Sequence, residues 1–191
     1  MKIKTNLAIL ASGNGSNFEA ITKAIKKGSL GVSHCILITD KKNSFVRKRA
    51  KKYQIKDIFI DPKKFKNRRG FDKKLIQTLN EEKINIIALA GYMRILSPFF
   101  VKHFKNKILN IHPSLLPSFA GNNAIADAYN YGVKVTGVTI HFVSQKVDQG
   151  PIIAQTAIPI EDNMQLNELE EKIHKAEHLL YPKVLKMFLI K

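Results

Sequence analysis

Residues 6–17 read NLAILASGNGSN, and this segment points to the class of fold. Its first six residues form a mainly apolar run that is typical of a buried strand, and the glycine-rich SGNGSN follows at once. The next residues, FEAITKAIKKG at 18–28, have helical periodicity and end in glycine. A buried strand, a glycine turn and a helix in this order indicate the first unit of a parallel α/β sheet.

The same alternation continues through the first half of the chain. Apolar strand patterns occur at 34–39, 56–60 and 84–91, and helical patterns lie between them at 43–54 and 68–83. The connections are short, which favours parallel strands covered by helices on both faces. We therefore predict an α/β protein with a three-layer α/β/α, Rossmann-like open sheet that is mostly parallel.

The second half is less regular and predicts an antiparallel part of the sheet. Strand patterns occur at 107–112, 134–144 and 152–160, a helical pattern occurs at 123–132, and a long helix is expected from residue 165 to the C-terminus. The last two strand patterns flank a turn with the sequence VDQGP, so we predict that they pair as antiparallel neighbours.

Composition limits the classes of function. The 191 residues contain 45% hydrophobic residues and one cysteine, Cys35, so we expect a single domain over 1–191 with no internal disulfide. No stretch resembles a signal peptide or a membrane span, which predicts a cytoplasmic protein without a membrane partner. The net charge of +17 comes mostly from lysine without interleaved aromatics, so we predict no nucleic-acid partner and expect anionic small molecules instead.

The glycine turn is the first candidate site. Gly15, Ser16 and Asn17 stand where a helix begins, and free N–H groups at a helix N-terminus favour an anion such as phosphate. An ordinary turn with a helix cap is the alternative. Neither the Walker pattern nor the complete dinucleotide pattern is present, so we predict no nucleotide cofactor.

The second candidate site lies in NIHPSLLP, residues 110–117. Asn110 and His112 are two apart in a predicted strand and therefore project from the same face. At the carboxyl end of such a strand they would face the crevice where open α/β sheets bind ligands. Asp148 lies in the later turn, and it gains a role only if it reaches His112; otherwise it is an ordinary turn residue.

Other polar residues are less specific. His141 alternates with apolar neighbours, so a core position and a site position are equally consistent with its pattern. The remaining histidines share no metal-ligand spacing with carboxylates or cysteine, and we predict no metal site. The pair Arg68-Arg69 is either solvated surface, or one of the two is a ligand for an anion.

Taken together, several motifs resemble the phosphoribosylglycinamide formyltransferase family of purine biosynthesis. SGNGSN, LAGYMRILSP, LNIHPSLLPSF, GVTIHFV, VDQGPIIAQ and AEHLLYP occur in that family's order and spacing, and the resemblance extends over about residues 6–182. NIHPSLLP with a downstream D-x-G-P is specific to the wider formyltransferase fold, and SGNGSN indicates this branch.

The resemblance implies transfer of a formyl group from 10-formyltetrahydrofolate, a co-substrate, to the amine of glycinamide ribonucleotide, without a metal. Small molecules would be the only partners of a monomer or homodimer. It implies three groups of residues: a catalytic set of Asn110, His112 and Asp148; a ribonucleotide site of Gly15, Ser16, Asn17 and Glu177; and a folate site of Arg68, Met93, Arg94, Ile95, Leu96 and Asn110.

Some features depart from the family pattern, and alternatives stay open. Ala120-Gly121 replaces the usual Pro-Gly, and residues 122–125 lack a histidine that some members carry. Methionyl-tRNA formyltransferase and formyltetrahydrofolate deformylase share the chemistry but are longer chains with an additional domain. A non-catalytic basic module that binds nucleic acid is the alternative from a different class; it would show salt-dependent affinity and no formyl transfer.

Overall fold

The computed structural model describes residues 5–189, so the first four and last two residues of the predicted single domain lie outside it. The elements follow one another in the order β1 (Thr5–Leu10), α1 (Ser16–Lys26), β2 (Val32–Thr39), α2 (Phe45–Tyr53), β3 (Lys56–Phe59), a 3₁₀ turn (Pro62–Lys64), α3 (Arg68–Glu81), β4 (Ile86–Leu89), α4 (Pro98–His103), β5 (Ile108–His112), α5 (Ala124–Tyr131), β6 (Val135–Phe142), β7 (Ile152–Pro159) and α6 (Leu166–Leu189).

The seven strands form one sheet in the order β3-β2-β1-β4-β5-β6-β7. The first five are parallel to one another, whereas β6 pairs antiparallel with both β5 and β7. The predicted mostly parallel sheet with an antiparallel C-terminal part is therefore confirmed. The chain leaves β1 toward β2 on one side and returns to β4 on the other, which creates a crevice at their carboxyl ends.

The core has two layers because the central strands are buried on both faces. In β1, Leu7 and Ile9 pack into one cluster, and Ala8 and Leu10 pack into the other. Side chains of α1, α2 and α6 cover the first face, and side chains of α3 and α4 cover the second. This double burial explains why β1 reads as a continuous apolar run rather than an alternating one.

Two local features differ from what the sequence pattern predicts. No helix was expected at α4, which is only six residues long, although Ser97 and Pro98 form a standard start signal. The Ser97 hydroxyl accepts a hydrogen bond from the N–H of Phe100 and so caps this helix. The connection between β6 and β7 covers residues 143–151, which is longer than a tight hairpin turn.

Candidate active site

A cavity of about 600 Å³ opens at the carboxyl ends of β1, β4 and β5, where the fold provides its crevice. All predicted site residues except Arg68 line it. The lining comprises residues 13–17, 89–96, 110–113, 121–122, 141, 143–148, 174 and 177. The three groups of residues that the sequence singled out separately therefore share one space.

Asn110 and His112 project from the same face of β5 into this cavity, as the strand periodicity predicted. His112 is 4% exposed, so its imidazole meets few water molecules. Asn110 pairs with His141 of β6, and its amide nitrogen lies 3.1 Å from Nε2 of that histidine. The antiparallel strand β6 thus brings a third polar side chain to the pair.

Asp148 reaches both histidines from the loop between β6 and β7. Its carboxylate oxygens lie 3.6 Å from Nδ1 of His112 and 3.7 Å from Nε2 of His141. The loop can bend this closely because Gly150 has no side chain: a Cβ there would stand 1.6 Å from the carbonyl oxygen of Phe142. The convergence of Asp148 on His112, which sequence alone left open, is therefore present.

His141 fixes the orientation of the Asn110 amide. Its Nδ1 donates to the carbonyl oxygen of Phe142 at 2.9 Å, and burial lowers the pKa of His141, which favours the neutral ring. In that tautomer Nε2 is an acceptor, so it accepts a hydrogen bond from the Asn110 NH₂ group. The second hydrogen of that NH₂ group remains available to a ligand.

The ring nitrogens of His112 both face acceptors. Nε2 lies 2.9 Å from the carbonyl oxygen of Phe119, and Nδ1 faces the Asp148 carboxylate. A carbonyl and a carboxylate can only accept, so each neighbour suits an N–H group on the ring nitrogen that faces it. Gly121 N also donates to Asp148 at 3.1 Å, so the segment that follows the PSLLP motif contacts two of the three predicted catalytic residues.

The glycine loop packs tightly against α2. Gly15 has a φ of 78°, in the left-handed region, and a Cβ there would lie 2.4 Å from the Val46 side chain. Val46 N donates to the carbonyl of Gly13, and Arg49 donates to both oxygens of Asn14. These contacts fix the N-terminal end of α1 at the cavity wall.

Asn17 and Glu177 form a buried polar pair beside that loop. Asn17 Nδ2 donates to Glu177 Oε2 at 2.9 Å, and His174 Nδ1 lies 3.0 Å from the same oxygen. The hydrogen bond to Glu177 raises the pKa of His174, which favours a positive charge at the cavity edge. Asn17 Oδ1 is buried and meets no donor among the described residues.

The segment after β4 supplies an irregular, partly apolar wall. Met93 and Ile95 are 70% and 64% exposed, whereas Leu96 is buried. The Arg94 guanidinium lies 4.7 Å from the centre of the Phe71 ring, in a cation–π contact with α3. Two large exposed apolar side chains at a cavity mouth are typical of a surface that an aromatic ligand covers.

Three features of the site were not predicted from sequence. His174 was considered only as a possible metal ligand, yet it stands three residues before Glu177 on α6, a spacing that indicates a shared helix face. Residue type gives no signal for the Phe119 carbonyl, because this group acts through the backbone. It gives none for residues 143–147 either, because they line the cavity as a loop. Arg68, at the start of α3, does not line the cavity, and its folate contact stays a prediction.

A second hollow, of about 800 Å³, is lined by residues next to the start of β6, the end of β7 and the start of α6. Four of its charged side chains form two ion pairs, Lys134 with Asp162 and Lys172 with Glu161. Among residues 5–189 no three His, Cys, Asp or Glu side chains are grouped to hold a metal ion. Within the same residues, no helix has the length and apolar character needed to cross a bilayer.

The fold and this cavity define the class to which the chain belongs. A family model described as formyl transferase matches residues 5–185. Phosphoribosylglycinamide formyltransferase from Bacillus subtilis (strain 168) is 43% identical over 182 residues, which cover 95% of this chain and 93% of that protein. The chain belongs to the phosphoribosylglycinamide formyltransferase family.

A solved structure and a longer relative agree with this assignment. The crystal structure of glycinamide ribonucleotide transformylase 1 from Geobacillus kaustophilus is 42% identical, covers 97% of this chain and 99% of that one, and has a TM-score of 0.94. The human trifunctional purine biosynthetic protein adenosine-3 is 41% identical over 186 residues, but the match covers only 18% of its length. The chain therefore corresponds to one part of that larger protein.

Proposed function

We propose that this enzyme transfers the formyl group of 10-formyltetrahydrofolate to the amine of glycinamide ribonucleotide, giving formylglycinamide ribonucleotide and tetrahydrofolate. The observation that carries the proposal is the convergence of Asn110, His112 and Asp148 at one end of a cavity. Polar groups suited to a ribonucleotide line one side of that cavity, and exposed apolar groups suited to a folate line the other. The relatives' names supply the ribonucleotide acceptor and the transfer of a formyl group, and the family resemblance supplies the folate donor.

The ribonucleotide lies against the α1 end of the cavity in this proposal. Its phosphate accepts hydrogen bonds from the N–H groups at the start of α1, beside Gly15 and Ser16, and faces the positive His174. Asn17 Oδ1 and the Glu177 carboxylate are acceptors, so they suit the hydroxyl groups of a ribose rather than the phosphate.

The folate lies along the wall after β4. The exposed side chains of Met93 and Ile95 would cover its apolar faces, and the backbone of residues 93–96 would meet the polar edge of its ring. This arrangement places the formyl group next to Asn110, at the boundary of the two substrates. Holding both reactants in one cavity supplies much of the rate advantage by proximity.

In the reaction, the substrate amine attacks the formyl carbon and forms a carbon–nitrogen bond, which leaves negative charge on the former carbonyl oxygen. The free hydrogen of the Asn110 NH₂ group and the His112 imidazolium donate to that oxygen. Asp148 stabilises the imidazolium and passes the proton lost by the amine, through water, to N10 of the departing tetrahydrofolate. Collapse of the intermediate breaks the carbon–N10 bond, and the enzyme forms no covalent intermediate.

For His112 to donate to the oxyanion, its Nε2 proton must leave the Phe119 carbonyl. That carbonyl oxygen is an acceptor 2.9 Å from the ring, so it occupies a place suited to the formyl oxygen. Gly121 must likewise release Asp148 if the carboxylate is to contact water or substrate. Both contacts belong to residues 118–123, so one displacement of this segment frees both catalytic side chains.

The same proposal places the enzyme in the cytoplasm as a monomer or homodimer that acts on small molecules alone. One chain provides every residue of the proposed site, so a partner chain is not required for the chemistry.

A direct assay tests the activity and its alternatives. The chain is incubated with 10-formyltetrahydrofolate and glycinamide ribonucleotide, and the folate absorbance change is followed with each substrate omitted in turn. Turnover that requires both substrates supports the proposal. Turnover without ribonucleotide would indicate a deformylase, turnover only with methionyl-tRNA would indicate the tRNA enzyme, and none with any acceptor would favour a binding module.

A further inference from the structure

We infer that Asp40 and Asp72 are positioning residues that hold the folate-binding segment, residues 92–97, by hydrogen bonds at its two ends. Neither carboxylate lines the cavity, and neither takes part in the proposed reaction. The inference rests on the proposed binding of formyl folate by this segment. It adds that the two carboxylates fix the segment's backbone, which can be measured without any ligand.

Asp40 acts through Ser12 at the first end. Asp40 follows β2 and is 5% exposed, and Ser12 Oγ lies 2.6 Å from its Oδ1. A carboxylate can only accept, so the Ser12 hydroxyl donates its proton to Asp40 and keeps its lone pairs for another donor. That donor is the N–H of Met93, at 2.9 Å. Asp40 therefore sets the direction of the hydroxyl that holds Met93.

Ser12 also connects the two substrate sites. Its own N–H donates to the carbonyl of Gly91 at 3.0 Å, and Gly13 of the glycine loop follows it in the chain. The start of the folate-binding segment is thus tied by two hydrogen bonds to the residue that begins the ribonucleotide loop.

Asp72 holds the other end directly. It lies in α3, is 2% exposed, and accepts a hydrogen bond from the N–H of Ser97 at 3.1 Å. Ser97 caps α4 through its side chain, so Asp72 fixes the point at which the irregular segment becomes helix. The neighbouring Phe71 supports the middle of the segment through its contact with Arg94.

Between these ends the backbone is open. In the part of the chain that the structure describes, the N–H groups of Arg94, Ile95 and Leu96 donate to no protein acceptor. Free N–H groups bind a ligand more tightly when their positions are fixed before the ligand arrives. The hydrogen bonds at Met93 and Ser97 fix the positions of these three groups.

The isolation of these carboxylates supports a role in positioning. Within residues 5–189, neither Asp40 nor Asp72 has a lysine, arginine or histidine nitrogen within 4.0 Å. A buried carboxylate without a cation is expensive, and its hydrogen bonds offset only part of that penalty. The pair is therefore better explained by the geometry that it imposes than by a contribution to stability.

The test measures ligand binding and backbone protection in the full chain. Tetrahydrofolate and glycinamide ribonucleotide are titrated separately into Asp40→Ala, Asp72→Ala, Asp40→Asn and Asp72→Asn by calorimetry. Asp57→Ala is the control, because Asp57 is a partly buried carboxylate on β3 that pairs with Arg47 outside the cavity. Loss of one anchored hydrogen bond should weaken tetrahydrofolate binding about tenfold in each alanine variant.

The asparagine variants keep an acceptor oxygen, so they should retain near-normal tetrahydrofolate affinity, and every variant should bind the ribonucleotide within about twofold of the parent. Hydrogen exchange at Met93 should accelerate in Asp40→Ala, and at Ser97 in Asp72→Ala. Alanine variants with unchanged exchange and unchanged tetrahydrofolate affinity would overturn the inference. If the parent chain does not bind tetrahydrofolate but exchange still accelerates in the alanine variants, the anchoring would be supported and the proposed function refuted.

Discussion

Replacement of Asp148 by asparagine removes one negative charge from the centre of the proposed site and little else. The carboxylate lies 3.6 Å from Nδ1 of His112, and the Asp148 side chain is only 11% exposed. At that distance, with an effective dielectric constant of about 20, a unit charge pair is worth on the order of 4 kcal/mol. One decade of rate corresponds to about 1.4 kcal/mol, so the imidazolium loses support equivalent to a factor approaching about 10³.

We therefore expect Asp148→Asn to lower kcat by about 10² to 10³, a range that also describes the loss of one donor to an oxyanion. The assay is steady-state formyl transfer, followed by folate absorbance at saturating concentrations of both substrates. Asparagine keeps an oxygen that can accept from Gly121 N, so the fold and the thermal midpoint should change little.

Asp127→Asn is the matched control, because it makes the same charge change at an exposed position of α5 outside the cavity. It should keep parental turnover. An Asp148→Asn variant with parental kcat would remove this carboxylate from the mechanism, and equal losses in the two variants would show that net charge, rather than the site, governs the rate.

Three further predictions concern the ribonucleotide side of the cavity. Ser16→Ala should weaken ribonucleotide binding more than tetrahydrofolate binding in calorimetric titrations; equal or reversed effects would argue against a phosphate at the start of α1. The pKa of His174 is raised, so its charge is present at low pH and is lost as pH rises through that pKa. KM for the ribonucleotide should therefore rise over that pH interval in the parent but not in His174→Gln. Identical pH profiles in the two proteins would exclude a contact between His174 and the phosphate. Gly15→Ala should lower the free energy of unfolding by about 3 kcal/mol in urea titrations, because a Cβ would lie 2.4 Å from Val46 in a left-handed backbone. Gly28 has a similar φ but open space around it, so Gly28→Ala should lower the free energy of unfolding by only about 1 kcal/mol. Equal losses in the two variants would contradict the close packing at Gly15.

The fold was predictable because its information is local. Continuous apolar runs, glycine turns and helical periodicity recur along the chain from β1 to β5. Each of these patterns depends on only a few neighbouring residues. The short helix α4 was missed because six residues carry little periodicity.

The site was predictable only in part, because its contacts join distant parts of the chain. Strand periodicity placed Asn110 and His112 on one face, but the approach of Asp148 depends on the bend at Gly150 and the pairing of β5 with β6. The role of His141 depends on which of its nitrogens faces Asn110, and residue type does not encode that choice.

The most direct test of formyl transfer between the two substrates follows the transferred carbon itself. The chain is given 10-formyltetrahydrofolate labelled with ¹³C in the formyl group, together with glycinamide ribonucleotide, and the products are observed by NMR. We expect the label to appear in the formamide of the ribonucleotide, at a rate that Asp148→Asn reduces by about 10² or more. Label released as formate regardless of the ribonucleotide, or left on the folate, would contradict it.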